Sequence, residues 1–101
     1  MVFSVQQIKY ELLGYMKEFD PSFKNWYVGV ASDPRKILVM EHLLDLESDH
    51  WIYKQALSFT AACTVQRYFL QRLKADGVMA SSGDEDLDCV YAYRKSGHTR
   101  P

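Results

Sequence analysis

The stretch Tyr27-Val28-Gly29-Val30-Ala31-Ser32-Asp33-Pro34 decides how the rest of the chain is read. With Lys24 to Trp26 before it, it forms a strand. Trp26, Val28 and Val30 fall on one face, and Tyr27, Gly29 and Ala31 on the other, because side chains alternate along an extended chain. Gly29 is the odd residue in this strand. Glycine weakens a strand and often marks close approach by another group. Asp33 suits a helix N-cap and Pro34 the first helical position, so a short helix is expected from there to about Leu44.

Working outward, Ser4 and Gln7 form an S-x-x-Q capping box. Val5, Ile8, Leu12, Tyr15, Met16 and Phe19 then recur at helical spacing until Asp20-Pro21 stops the run. Downstream, Asp45 to Asp49 is an acidic loop and His50 to Leu57 a second strand. Ser58 or Thr60 caps a helix expected to reach about Ala75 and to end at Asp76-Gly77. Its apolar stripe is Phe59, Ala62, Cys63, Phe69, Leu70 and Leu73, with the amide of Gln66 in the middle. Cys89 to Arg94 is a third strand, with Tyr91 and Tyr93 on one face and Val90 and Ala92 on the other. The expected fold is α+β: a small three-stranded, mainly antiparallel sheet with three helices, in the order α-β-α-β-α-β. Residues 1–101 form a single domain, and about 95–101 a mobile tail.

Composition narrows the function classes. The chain has 101 residues, 12 Lys and Arg against 13 Asp and Glu, and a formal charge of −1. That excludes the globally basic body of a strong nucleic-acid binder but not a local basic patch. No apolar run approaches the ~18–20 residues of a membrane span. The start lacks the charged-then-apolar order of a secretion signal. The 2 cysteines, Cys63 and Cys89, form no C-x-x-C pair, which excludes a zinc ribbon or a thioredoxin motif. They are expected to be buried thiols in a cytoplasmic protein.

The Tyr-x-Gly strand at Tyr27–Gly29, the Asp33-capped helix after it, and the later Trp51-Ile52-Tyr53 strand with its helix resemble the GIY-YIG nuclease superfamily over about residues 26 to 73. The resemblance implies a nuclease-like fold in which a phenol positions or deprotonates the nucleophile. An arginine offsets transition-state charge, and one divalent metal, magnesium in an active member, is held by a glutamate. Tyr27 matches the phenol, with Tyr91 or Tyr93 as its neighbour. The arginine position falls on Ile37 and the glutamate position on Gln66, while His42 lies near a histidine common in the family. The first family strand is missing ahead of Tyr27. Val90-Tyr91-Ala92-Tyr93 would fill its place in a permuted arrangement, with residues 89–94 beside 25–31.

An amide is a poor substitute for a carboxylate on a hard cation, and losing one preorganised charge commonly costs about 10²–10³ in rate. The expectation is therefore a non-catalytic binding module with a degenerate site of Tyr27, Gly29, Ile37, His42, Gln66, Tyr91 and Tyr93. No metal or other cofactor is expected, and the contact is DNA or a DNA-processing protein. The alternatives are a divergent magnesium-dependent endonuclease, or a protein-interaction or self-assembling domain. The first would use Tyr27, Arg35, His42 and Tyr91, with Glu41 or Glu47 as a substitute metal ligand. Trp26, Trp51 and the 7 tyrosines also suit an interface, a homodimer included. Asp84, Glu85, Asp86 and Asp88 lack the spacing of a calcium loop and are expected to form a solvated acidic loop.

Overall fold

A computed structural model describes residues 1–81 and 86–101. The elements are β1 (Val2–Phe3), α1 (Val5–Phe19), β2 (Trp26–Ala31), α2 (Pro34–Met40), β3 (Trp51–Ala56), α3 (Phe59–Arg67) and β4 (Cys89–Arg94). A 3₁₀ turn at Phe23–Asn25 precedes β2, and a π-helical turn at Tyr68–Arg72 continues α3. The class is α+β, with three α-helices around one mixed sheet of order β1-β3-β4-β2.

The sheet has four strands, one more than expected. The added strand is two residues long and runs parallel to β3, pairing Val2 with Gln55 and Phe3 with Ala56. Two residues are too few to show an alternating pattern. Because β1 stops there, Trp51 to Lys54 form the outer edge of the sheet on that side. The amide of Trp51 is met by the hydroxyl of Tyr15, 3.0 Å away. β4 lies antiparallel between β3 and β2, and Trp26 to Ala31 pair with Arg94 to Cys89 in order. The expected neighbouring of residues 89–94 and 25–31 is thus present.

Strand alternation gives the sheet a core on each face. Trp26, Val28, Val90 and Ala92 pack with Ile8, Leu12 and Met16 of α1 and with Ala62 and Val65 of α3. On the other face Ala31, Tyr91 and Tyr93 pack with Leu38 of α2 and with Leu44 beyond it, flanked by Tyr27, Ile37, Trp51 and Tyr53. The capping box at Ser4 and Gln7 is formed, and Asp33 and Ser58 cap α2 and α3.

Two helices end earlier than expected, and for one reason. Leu43 (φ 61) and Lys74 (φ 64) adopt the left-handed conformation. Beyond them the amides of Leu44 and Ala75 reach back to the carbonyls of Leu38 and Phe69, at 2.9 and 3.0 Å. Each of these bonds spans six residues, one more than the closing bond of a Schellman turn, and each turns on a left-handed residue of the kind glycine usually supplies. With leucine and lysine there, the stops are invisible in composition. Asp76-Gly77 therefore does not end the helix. Asp76 instead pairs with the free edge of β2, its amide donating to Trp26 O (2.8 Å) and its carbonyl accepting from Val28 N (2.9 Å).

The C-terminal segment 95–101, expected to be mobile, folds against the body. Lys95 N donates to Asn25 O (2.8 Å), His98 Nε2 meets Asp49 Oδ2 (2.7 Å), and Arg100 N donates to His42 O (2.8 Å). Both cysteines are buried free thiols. Burial, reinforced by the neighbouring Asp88 carboxylate, pushes the Cys89 thiol up to about 11. Of the acidic loop, Asp84 and Glu85 lie outside the described residues, Asp86 is exposed, and Asp88 accepts from Gln55 Nε2 (2.9 Å).

Asp20 ties the end of α1 to β4. Its carboxylate accepts from Arg94 Nε (2.8 Å), Asn25 Nδ2 (3.0 Å) and the Ser22 amide (3.0 Å). The Arg94 guanidinium first, then Asn25 and Ser22, hold its pKa at about 2, below the ordinary 3.8. A carboxylate depressed by folding contributes stability that is present above its unfolded pKa and lost as pH falls through the folded one. Asp20→Asn should therefore lower stability at neutral pH and flatten the acid limb between about pH 4 and pH 2. Urea melts of both proteins across that range check this. Parallel acid limbs would show that Asp20 does not carry the effect.

Candidate functional site

The residues singled out around the Tyr-x-Gly strand separate into two places. Tyr27 and Gly29 on β2, Ile37 on α2, His42 just past it, and Tyr91 and Tyr93 on β4 share the α2 face of the sheet. Gln66 lies on the α3 side.

Gly29 makes the first group possible. It pairs with Tyr91 across the ladder, and a Cβ there would lie 2.4 Å from Tyr91 Cζ and hydroxyl. The phenol ring crosses the space a side chain would fill. Its hydroxyl thereby reaches His42 Nε2 at 2.8 Å. His42 Nδ1 lies 2.6 Å from the Arg100 carbonyl and 3.0 Å from the Tyr93 hydroxyl, which in turn donates to the Arg100 carbonyl at 3.2 Å. For a neutral imidazole one tautomer satisfies all of these contacts, with the hydrogen on Nδ1 donated to Arg100 O and Tyr91 donating to Nε2. Tyr27 completes the group, its ring stacked on that of Tyr93 with centres 5.3 Å apart and tilted against that of His42 at 4.7 Å.

This packing sets the acidity of the phenols. Burial first, then the neighbouring tyrosines, pushes Tyr91 far above the usual phenol range, and Tyr93 follows for the same reasons. Tyr27, only half-buried, is also raised, by burial and then by the charges of Asp76 and Glu41. Beside Tyr27 and His42 a cleft of ≈ 450 Å³ opens, walled on one side by Arg100 and Pro101. The tail is thus part of the site. Its carbonyl contact could not be read from a segment whose composition suggested only mobility.

The arginine position and the charged candidates take no part in this hydrogen-bonded group. Ile37 is half-buried, packed against the apolar core on the α2 face of the sheet. Arg35 lies over the Trp51 ring, 5.2 Å from its centre. Glu41 is exposed on the rim of the cleft, and Glu47 is exposed in the loop beyond α2. Among the described residues no three His, Cys, Asp or Glu side chains gather to hold a metal.

Gln66 is fully buried and fully used. Its Nε2 donates to the carbonyls of Val28 (3.2 Å) and Val78 (2.9 Å), and its Oε1 accepts from the Ala80 amide (3.1 Å). The side chain thus joins α3, the edge of β2 and the segment after Gly77. A Cβ on Gly77 would lie 2.4 Å from the Val28 carbonyl, at a φ of +152. The position calls for an amide, since a carboxylate has no N–H to offer two carbonyls. A metal-binding glutamate does not fit these partners.

Compared with known proteins, the chain matches no family model, no curated protein and no solved structure.

Two measurements check this geometry. Gly29→Ala should cost about 1–3 kcal/mol by overpacking, and most of that cost should vanish in a Tyr91→Ala background. An equal cost in both backgrounds would mean that the ring does not limit residue 29. Gln66→Glu should cost about 3 kcal/mol or more at neutral pH, because two buried carbonyls lose donors and face a charge. The loss should shrink in acid, where the protonated carboxyl can donate once. Gln66→Leu, with nothing to titrate, should show no such relief.

Proposed function

We propose that this chain is a non-catalytic DNA-binding module with a degenerate GIY-YIG-like fold. One observation carries the non-catalytic reading. The hydroxyls of Tyr91 and Tyr93 and both ring nitrogens of His42 are engaged with one another and with the Arg100 carbonyl. A general base works best with a pKa near the operating pH, whereas burial moves the phenols of Tyr91 and Tyr93 the opposite way. The positions that would carry an arginine and a metal-binding carboxylate are an uncharged, half-buried isoleucine and a carbonyl-bound amide.

The likeness of fold draws support from the pairing of Trp26–Ala31 with Cys89–Arg94, which a permuted arrangement requires. The tyrosines and histidine then act as a structural rivet between β2, β4, α2 and the tail. DNA is the ligand that the family likeness implies, bound without cleavage.

Two assays test this. Supercoiled plasmid with magnesium should stay intact, and labelled duplex should bind with an affinity that falls steeply with salt. Magnesium-dependent nicking that disappears in Tyr27→Phe would replace this reading with a divergent endonuclease. No binding at low salt would remove DNA as the ligand and leave a protein partner.

A further inference from the structure

A second cleft, of ≈ 310 Å³, lies between α1 and the end of α3, on the sheet face opposite the tyrosines and His42. Lys9, Arg67, Tyr68, Gln71 and Arg72 line it with Thr64. No carboxylate is among its lining residues. Lys9 Nζ stands 4.4 Å from the centre of the Tyr68 ring. The ion pairs among the described residues engage Arg94, Lys95 and His98, and none engages Lys9, Arg67 or Arg72.

The π-helical turn explains how the two arginines come to share this cleft. In an α-helix, residues five apart point about 140° away from each other, at about 100° per residue. A π turn closes with a bond five residues on, so residues five apart stand one above the other. Arg67 and Arg72 bracket such a turn, Tyr68–Arg72. Cations near a helix C-terminus are favoured by its dipole, and that accounts for the two arginines singly. It does not account for Lys9, which lies beyond the first turn of α1, where the dipole no longer acts.

We infer that this cleft is where nucleic acid binds, the three cations taking successive phosphates of one strand. The inference rests on the DNA-binding reading above and deepens it by placing the contact. On and beyond α2 the exposed Arg35 and Lys36 are outnumbered by the exposed carboxylates Asp33, Glu41, Asp45 and Glu47, whereas the lining of the α1–α3 cleft holds three cations and no carboxylate. The cations are spread over two helices, an arrangement that suits several phosphates in a row better than one enclosed phosphate. Tyr68, half-buried beneath Lys9, holds that ammonium in place.

The test is fluorescence anisotropy of a labelled duplex on the full chain, across about 50 to 200 mM salt. Three phosphate contacts give a log–log slope near −3 and weaken binding about 40-fold over that range. Arg67→Ala with Arg72→Ala should lower the slope by about 2 and leave only about a 4-fold salt effect. Lys24→Ala with Lys36→Ala removes the same charge elsewhere and should leave the slope unchanged. Equal losses in the two double variants would mean that net charge alone matters, and would overturn the placement. So would wild-type slope in the arginine variant. If the wild-type chain binds no duplex even at low salt, the DNA-binding reading fails, and this inference with it.

Discussion

At Gly29 the hydrogen that replaces a side chain leaves room for the ring of Tyr91, and much of the α2 face follows from that overlap. Without it the Tyr91 hydroxyl would be displaced from His42 Nε2. His42 would lose the acceptor role that fixes its hydrogen on Nδ1. The carbonyl of Arg100 would then keep only the Tyr93 hydroxyl of its two donors. A side chain that is absent therefore connects two strands, a helix end and the C-terminal segment. Buried polar networks of this kind are strong when every member is satisfied and costly when one is not. No buried side-chain nitrogen or oxygen among the described residues lacks a partner.

The other face is held by a different polar device in an otherwise apolar layer. Gln66 does for the edge of β2 what a neighbouring strand would do. It takes up the Val28 carbonyl while the backbone of Asp76 takes up the Val28 amide. The two devices meet at one strand, since Val28 is next to Gly29. The short Tyr-x-Gly segment is therefore where both cores are registered against each other.

Much of this was legible from residue type and spacing. The caps at Ser4, Asp33 and Ser58 and the alternation in β2 and β4 all follow local rules with one dominant cause. Gly29 was flagged as a place of close approach, and Tyr91 is the group that approaches. What could not be read depends on contacts between distant segments or on residues in atypical roles. Leu43 and Lys74 occupy positions that glycine usually marks. Val2–Phe3 is too short to show a period. The π turn adds no signal to composition, yet it realigns two arginines. At Lys95 and Arg100 the tail is held through its backbone, which every residue has, and the partners of the Lys95 and His98 side chains lie far off in sequence, so composition does not advertise the attachment.

The brevity of β1 has a consequence at the other edge of the sheet. Because β4 takes the backbone of His50, ladder alternation turns the N–H and C=O of Tyr53 outward, toward a neighbour that β1 never becomes. An extended segment laid parallel to β3 would meet these two groups directly, so the sheet is open to one more strand at Tyr53 and closed again at Trp51, where the Tyr15 hydroxyl already takes the amide.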